Sequence, residues 1–374
     1  MTESPSTPPN RHWVLSLDGG GVRGLSSLII LEEILNRAGK QPYEVFRLLC
    51  GASAGGISAL MIGRIGMNIP ECIGEFRDLS RQVFGRPRLL RTAWGLLRSR
   101  HDESIMVEKT KDLLERYSNA GGARMYEQPL NIARQRQVIP AYVVCLDAHP
   151  VAADIQTPSP LAVRLGTTPG IYHDASSCMV WDASAVRATS AAPTYFKPQK
   201  ITVGHEVREF LDGGLHYNNP IETVSSVIET LNLGSPDIGY ISIGTGTSAE
   251  EREHAKNYWR PVNYWAISQA VWWFGYVPKT PANSLRRYLH RTNQGLKDIL
   301  GNAKAESAHV VFQNAVGTKT YFRFNCDETL DGYQLLMTAL DKHEDMGKIE
   351  NTTRQYLRRP EIHRLVTECA NMLG

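Results

Sequence analysis

The pentapeptide Gly51-Ala52-Ser53-Ala54-Gly55 constrains this chain more than any other stretch of it. It follows an apolar run that starts at Phe46 and precedes a small-residue segment that starts at Gly56, which predicts a strand, a tight turn and a helix. A serine at such a turn has a strained backbone and a protruding hydroxyl, and the flanking glycines let neighbouring backbone approach closely. The first N–H groups of the helix, including that of Ala54, would point at charge developing beside the serine. The pattern predicts a nucleophilic Ser53, although a Gly- and Ser-rich loop without chemistry explains it equally well.

The composition is that of an ordinary globular protein. A length of 374 residues suits one large α/β domain, or one domain with an appendage. The net charge of +3 is too small to indicate a nucleic-acid partner. The six cysteines are scattered without a C-x-x-C pair, which favours a reduced, cytoplasmic setting over a disulfide framework or a zinc site.

Patterning along the chain predicts three parts. Residues 1–11 are rich in Ser, Thr and Pro and lack an apolar run, which predicts a disordered lead-in and not a signal peptide. Residues 12–250 alternate strand and helix patterns, which predicts an α/β fold with helices on both faces of the sheet. Residues 251–374 predict a mainly helical part packed on the same domain. The most apolar segment, residues 25–35, is too short to span a bilayer, so any membrane contact is expected to be peripheral.

A second glycine-rich turn follows the first predicted strand, residues 13–17. It reads Asp18-Gly19-Gly20-Gly21-Val22-Arg23-Gly24 and leads into apolar residues at helical spacing, which end at Gly39. Backbone N–H groups in such a turn form a cradle for an anion.

Three interpretations of this turn remain open. Gly19, Gly21 and Gly24 match the spacing of a dinucleotide-binding fingerprint, but Glu44 precedes the next apolar run instead of ending it, which makes a nucleotide cofactor the weakest interpretation. A purely structural glycine turn is the second. An oxyanion hole that serves Ser53 is the third, since acyl transfer needs donors aimed at a tetrahedral intermediate.

The two turns together resemble the patatin-like phospholipase family, whose pattern is D-G-G-G-x-R-G followed by G-x-S-x-G. The family also carries a later Asp-Gly-Gly or Asp-Gly-Ala, and this chain has Asp212-Gly213-Gly214 after a strand-like run. Residues 188–196 and 241–246 are similar to the family's usual surroundings. The resemblance covers roughly residues 13–247, and it implies a three-layer α/β/α catalytic core with a mainly parallel central sheet and a helical C-terminal extension.

The resemblance implies a lipid acyl hydrolase with a Ser-Asp dyad, here Ser53 and Asp212, acting on phospholipids or related acyl esters. The two residues are 159 positions apart, and both follow strand-like runs, whose carboxyl ends gather sites in open α/β sheets. Burial beside the serine is expected to raise the pKa of Asp212 above about 3.9 and improve it as a base.

The remaining site residues lie around the glycine turn. Gly19, Gly20 and Gly21, with Ala54, are the expected oxyanion donors. Asp18 is expected to fix the loop, and Arg23 either holds the turn or meets a substrate phosphate. No calcium-type ligand loop is evident, so we expect a metal-independent reaction without a cofactor.

Two other functions remain as alternatives. An α/β-hydrolase esterase with a Ser-His-Asp triad would need a histidine base, either His216 or one late in the chain: His290, His309, His343 or His363. A signalling or effector module with a patatin-like domain is the other.

Two further stretches have open interpretations. Residues 81–100 carry six arginines and no acid, which suits either a surface for anionic lipid head groups or a solvated helix face. Residues 258–276 concentrate Trp, Tyr and Phe, which suits an acyl pocket, a lid, an interfacial anchor or a core helix. Beyond them we expect a strand at residues 321–324 and helices at residues 330–340 and 346–357.

Overall fold

A mixed β-sheet forms the centre of the structure, a computed structural model. It describes residues 11–85, 101–118, 138–147, 162–167, 182–192, 195–203, 206–230, 237–246, 309–310, 312–314, 321–326 and 341–374. The strands are β1 (His12–Leu17), β2 (Phe46–Ala52), β3 (Ala141–Asp147), β4 (Ala162–Gly166), β5 (Gln199–Val203), β6 (Glu206–Asp212), β7 (Ile238–Ile243) and β8 (Tyr321–Phe324).

The helices of the described residues include the predicted helix that ends at Gly39 and the predicted helix at residues 346–357. The helices are α1 (Gly24–Ala38), α2 (Pro42–Val45), α3 (Ala54–Gly63), α4 (Ile69–Phe84), α5 (Glu103–Ser118), α6 (Asp182–Thr189), α7 (Val224–Thr230), α8 (Met346–Arg358) and α9 (Pro360–Leu373). Short 3₁₀ helices occupy Gly21–Arg23, Gly213–Leu215, Pro220–Thr223 and His343–Asp345. As predicted, Gly39 ends α1: it has a left-handed φ of 64°, which glycine adopts without strain.

The strand order is β5-β6-β3-β2-β1-β7-β8, and β4 also pairs with β3. Neighbours among β3, β2, β1, β7 and β8 run parallel, whereas β4 and β6 run antiparallel to β3. The predicted α/β fold with a mainly parallel sheet is therefore confirmed.

The core lies on both faces of the sheet because successive strand residues point to opposite sides. On β1, Leu15 and Leu17 join the apolar cluster that includes α1, α3 and α4, while Val14 joins a smaller cluster with Ile221 and Val224. Helices consequently cover both faces. No helix among the described residues is long and apolar enough to cross a membrane.

The C-terminal residues that are described join this same core. The predicted strand at residues 321–324 is present and pairs with β7, and the predicted helix at residues 346–357 is α8. Thr353 Oγ1 of α8 donates to Ser26 Oγ of α1 over 2.8 Å, and both residues are buried. The expected lead-in at residues 1–10, most of the arginine-rich stretch, the aromatic stretch and the expected helix at 330–340 lie outside the described residues.

Candidate active site

Strand β3 sets the spacing between the two residues of the expected dyad. Val144 pairs with Ala52 of β2, and the next residue, Cys145, pairs with Asp212 of β6. Ser53 follows Ala52 directly. The β3 residues that pair with Ala52 and with Asp212 are neighbours in the chain, so the pairing places Ser53 and Asp212 close together. β6, which carries Asp212, runs antiparallel to β3. Asp212 and Ser53 therefore do not come together at the carboxyl ends of parallel strands.

The turn that carries Ser53 is sterically tight. Ser53 has a φ of 51°, the only positive φ among the described residues other than glycine. A Cβ on Gly51 would lie 2.2 Å from the Gly55 carbonyl oxygen, and one on Gly55 would lie 2.2 Å from the Leu17 carbonyl oxygen. The Ser53 N–H donates to Thr189 Oγ1 over 2.9 Å, and that hydroxyl donates to the Val144 carbonyl over 2.6 Å. Glycines at both sides and one threonine thus hold the serine in a strained conformation.

The Ser53 hydroxyl faces a buried carboxylate. Ser53 Oγ donates to Asp212 Oδ2 over 2.8 Å, and the Gly214 N–H donates to Asp212 Oδ1 over 2.7 Å. Burial raises the pKa of Asp212 to about 7, because removal from water penalises the charged form. The Gly214 N–H, the Ser53 hydroxyl and the positive charge of Arg187 act in the opposite direction.

The glycine turn lies beside this pair and is held by distant residues. The Gly19 N–H donates to the Asn218 carbonyl over 3.0 Å, and Thr245 Oγ1 donates to the Gly19 carbonyl over 2.7 Å. A Cβ on Gly20 would lie 2.1 Å from Thr245 Oγ1, so the turn and Thr245 are in close contact. Gly20 and Gly21 line the cavity that contains Ser53, and the Gly19 N–H is already engaged.

Asp18, at the start of the turn, forms a buried ion pair with Arg323 of β8. Arg323 donates to the two carboxylate oxygens over 2.9 and 2.6 Å, and also to Ser242 Oγ over 2.9 Å. Both side chains are buried, at 0% and 6% exposure. A two-pronged arginine–carboxylate pair of this kind fixes orientation as well as distance.

Arg23 lies under the glycine turn and is buried. Its Nε donates to the Gly20 carbonyl over 3.4 Å, and its backbone N–H donates to the same oxygen over 3.1 Å. These contacts match the turn-holding role, one of the two that the sequence left open for Arg23.

An apolar cavity adjoins the pair. Its water-accessible space is about 60 Å³, and it opens beside Ser53, Ala54 and Asp212. The rest of its wall is mainly aliphatic and aromatic: Ile57, Phe76, Leu79, Val83, Phe84, Met106, Tyr195 and Phe196. We call it the catalytic cavity.

The described histidines do not hydrogen-bond Ser53. His216 packs edge-on against Tyr217, with ring centroids 4.6 Å apart, and His309 Nδ1 lies 3.1 Å from Tyr321 Oη. His343 lies beside Glu344, at 3.6 Å, and the His363 carbonyl accepts from Arg37. His290 lies outside the described residues. Within those residues, no group of three or more His, Cys, Asp or Glu side chains is placed to hold a metal ion.

Sequence reasoning did not identify Thr189, Thr245 or Arg323 as part of this site. Thr189 and Thr245 lie in stretches that the family resemblance includes, at residues 188–196 and 241–246, which was the available signal. Arg323 had no such signal, because nothing local marks an arginine in a short strand as the partner of a residue 305 positions away.

Several known proteins are similar to this chain in sequence. A family model described as patatin-like phospholipase matches residues 15–225, which include Ser53 and Asp212. Calcium-independent phospholipase A2-gamma of Mus musculus is 26% identical over 339 residues, covering 86% of this chain and 37% of that protein. The cGAMP-activated phospholipase of Escherichia coli (strain TW11681) is 29% identical over 258 residues, covering 66% of this chain and 65% of that protein.

The solved structure of VipD from Legionella pneumophila matches 93% of this chain and 67% of its own, with 13% identity and a TM-score of 0.38. The chain spans about a third of the length of the mammalian relatives that it matches. The family match covers more than half of the chain and contains both glycine-rich turns and the aspartate beside the serine, so this chain belongs to the patatin-like phospholipase family.

Proposed function

We propose that this protein is a lipid acyl hydrolase, which cleaves the carboxylic esters of phospholipids or related acyl esters with Ser53 as nucleophile and Asp212 as base. The observation that carries the proposal is the 2.8 Å hydrogen bond from Ser53 Oγ to Asp212 Oδ2, on a strained turn that faces an apolar cavity. Family membership supports a lipid substrate, and the mouse and E. coli relatives are both named phospholipases.

In the first step, Ser53 Oγ attacks the ester carbonyl while its proton passes to Asp212 Oδ2. A carboxylate with a pKa near 7 suits this exchange, because a base works best when its pKa lies near the working pH. Collapse of the tetrahedral intermediate breaks the bond to the alcohol, which takes the proton from Asp212. In the second step, Asp212 removes a proton from water, the hydroxide attacks the acyl-serine, and the fatty acid leaves as Ser53 regains its proton.

The negative oxygen of the intermediate needs donors near Ser53. Gly20, Gly21 and Ala54 line the catalytic cavity, and the Ala54 N–H, as the first of α3, has no acceptor within its own helix. These three N–H groups are our proposed oxyanion hole. The Gly19 N–H would contribute only if its hydrogen bond to the Asn218 carbonyl opened, so we assign Gly19 a structural role in the turn.

We infer that the reaction needs no metal ion, since Asp212 accepts and returns the proton and backbone N–H groups stabilise the negative charge of the intermediate. The mouse relative is named a calcium-independent enzyme. Contact with a bilayer substrate would be peripheral.

The test is release of fatty acid from mixed phospholipid vesicles with chelator present, comparing the intact protein with Ser53→Ala. We expect release that depends on Ser53 and is insensitive to chelator. Activity that survives in Ser53→Ala would overturn the proposal. Cleavage of a soluble short ester that needs Ser53, without release from vesicles, would retain the serine chemistry and reject a bilayer lipid as substrate.

A further inference from the structure

A second, larger cavity adjoins the catalytic cavity on the same helices. It has about 270 Å³ of water-accessible space and lies among α3, α4 and α5. Two residues, Ile57 of α3 and Leu79 of α4, line both cavities. The two spaces therefore adjoin at these two aliphatic side chains.

The second cavity continues the catalytic cavity along one stripe of α3. Ser53, Ala54 and Ile57 border the catalytic cavity, and the second cavity continues through Leu60 and Arg64, at helical spacing. With a rise of about 1.5 Å per residue, the distance from residue 53 to residue 64 is about 16 Å. That length matches the acyl layer of one membrane leaflet, about 15 Å or half of the hydrocarbon core.

The floor of the second cavity is apolar. Six aliphatic or thioether side chains form it, each at most 7% exposed: Leu60, Met61, Ile65, Leu113, Leu114 and Val186. Methionine at such a place adapts its shape to different occupants, since it has three flexible bonds. An apolar floor of this size loses contacts when it is empty and gains them when a hydrocarbon chain fills it.

Five of the six charged side chains that line the second cavity are in ion pairs, Asp78 with Arg81 among them. Arg116 makes a two-pronged ion pair with Glu75 over 2.7 and 2.8 Å, and Lys109 lies 3.1 Å from Asp112. A charged ligand would have to displace these pairs, whereas a hydrocarbon chain on the floor leaves them intact. The paired charges therefore favour an apolar occupant over an ionic one.

We propose that the acyl chain of the substrate passes between Ile57 and Leu79 and ends in the second cavity, which makes the protein selective for long acyl chains. The inference rests on the proposed function, because it needs an acyl group at Ser53. By itself the catalytic cavity, with about 60 Å³, has room for only a few waters and would seat only the carboxyl end of a long chain.

The first test compares p-nitrophenyl butyrate with p-nitrophenyl palmitate in the same detergent. Leu113→Trp fills the second cavity from α5, and Gln82→Trp covers it from an exposed position on α4 that tolerates the larger side chain. Neither residue lines the catalytic cavity. We expect kcat/KM for palmitate to fall about tenfold or more in both variants, while kcat/KM for butyrate stays within about twofold.

The matched control is Glu108→Trp, an exposed position on α5 that borders neither cavity and should leave both rates unchanged. Equal loss for both esters in Leu113→Trp and Gln82→Trp, or no loss for either, would overturn the inference. Failure of the proposed function is distinguishable, because both esters would then be cleaved by Ser53→Ala.

A second measurement does not depend on turnover. A hexadecyl fluorophosphonate with a terminal diazirine would phosphonylate Ser53, with fluoride leaving and the Ser53 proton passing to Asp212. Illumination should then attach the chain end to peptides of α5, and a butyl probe should not reach them. Attachment of the long probe elsewhere, with none on α5, would contradict the inference.

Discussion

The two turns that meet at this site, Asp18–Gly21 after β1 and Ala52–Ala54 after β2, are stabilised in different ways. The serine turn depends on its own glycines, since a Cβ on Gly51 would lie 2.2 Å from the Gly55 carbonyl oxygen and one on Gly55 would lie 2.2 Å from the Leu17 carbonyl oxygen. The single remote side-chain support of its backbone among the described residues is Thr189. The glycine turn owes its shape to Asn218, Thr245 and Arg323, which are distant in sequence. The difference teaches that small residues within the serine turn largely set its conformation, whereas the glycine turn depends on several side chains that only the complete fold brings to it.

The largest effect is expected for Asp212, which is remote in sequence from the serine turn. The prediction tests whether this residue acts in the chemistry and not on the shape of the turn. Asp212→Asn should lower kcat by about 10²–10⁴-fold, because the amide cannot take the serine proton. In the unaltered protein, kcat/KM should rise with pH through a limb near pH 7, the pKa of Asp212. A pH–rate profile and a single-turnover assay measure both. Near-normal turnover in Asp212→Asn would move the base to another residue.

The same substitution should stabilise the fold. The folded pKa of about 7 lies above the ordinary aspartate value of 3.8. Ionisation of this buried group therefore leaves the unfolding free energy unchanged below pH 3.8 and lowers it by the full amount above pH 7. The unfolding free energy of Asp212→Asn should therefore be about 4 kcal/mol higher than that of the unaltered protein at pH 8, and equal to it near pH 3.5. Urea unfolding at both pH values measures this difference.

The second prediction tests how far the glycines of the serine turn set its conformation. Gly55→Ala should reduce activity by at least about 10²-fold and stability by about 1–3 kcal/mol, because the new Cβ collides with the Leu17 carbonyl. Hydrolysis rates and thermal unfolding measure the two effects. Gly74→Ala is the matched control: this α4 glycine has open space around it, so alanine should be neutral or stabilising by up to about 1 kcal/mol. Equal behaviour of the two variants would argue against a sterically imposed turn.

The third prediction concerns the remote support of the glycine turn. Arg323→Gln should lower kcat by about 10- to 100-fold with little change in KM, since a displaced turn weakens binding of the transition state more than of the substrate. It should also destabilise the fold by about 3–5 kcal/mol, because Asp18 remains buried without its charge partner.

The double variant Asp18→Asn/Arg323→Gln separates these two effects. It removes the unpaired charge and should recover much of the stability, while kcat stays low. Recovery of kcat together with stability would mean that the ion pair serves folding alone.

The smallest effect is expected for Thr245→Val. It removes one hydroxyl donated to the Gly19 carbonyl, so stability should fall by about 1 kcal/mol and kcat by a few-fold. Thermal unfolding and steady-state kinetics measure these changes. An effect as large as that of Arg323→Gln would mean that Thr245 is an equal support of the turn.

The sequence alone determined the local features of this protein. Helical and strand patterns predicted α1, α8 and the strands β1 and β8, because one buried face leaves its spacing in the sequence. Ser53 and the glycine turn were identified by their motifs, since strained turns need particular small residues at fixed positions. Asp212 was identified by the family resemblance, and its expected approach to Ser53 agrees with the structure.

Only the tertiary structure decided how these parts meet. Asp212 reaches Ser53 on an antiparallel strand aligned by β3, and Asp18 is paired by an arginine 305 positions away. The Gly19 N–H is bonded to the Asn218 carbonyl and not directed at the cavity. Such contacts leave no local pattern, because the free energy of a buried ion pair or hydrogen bond depends on which residues the fold brings together and not on their distance along the chain.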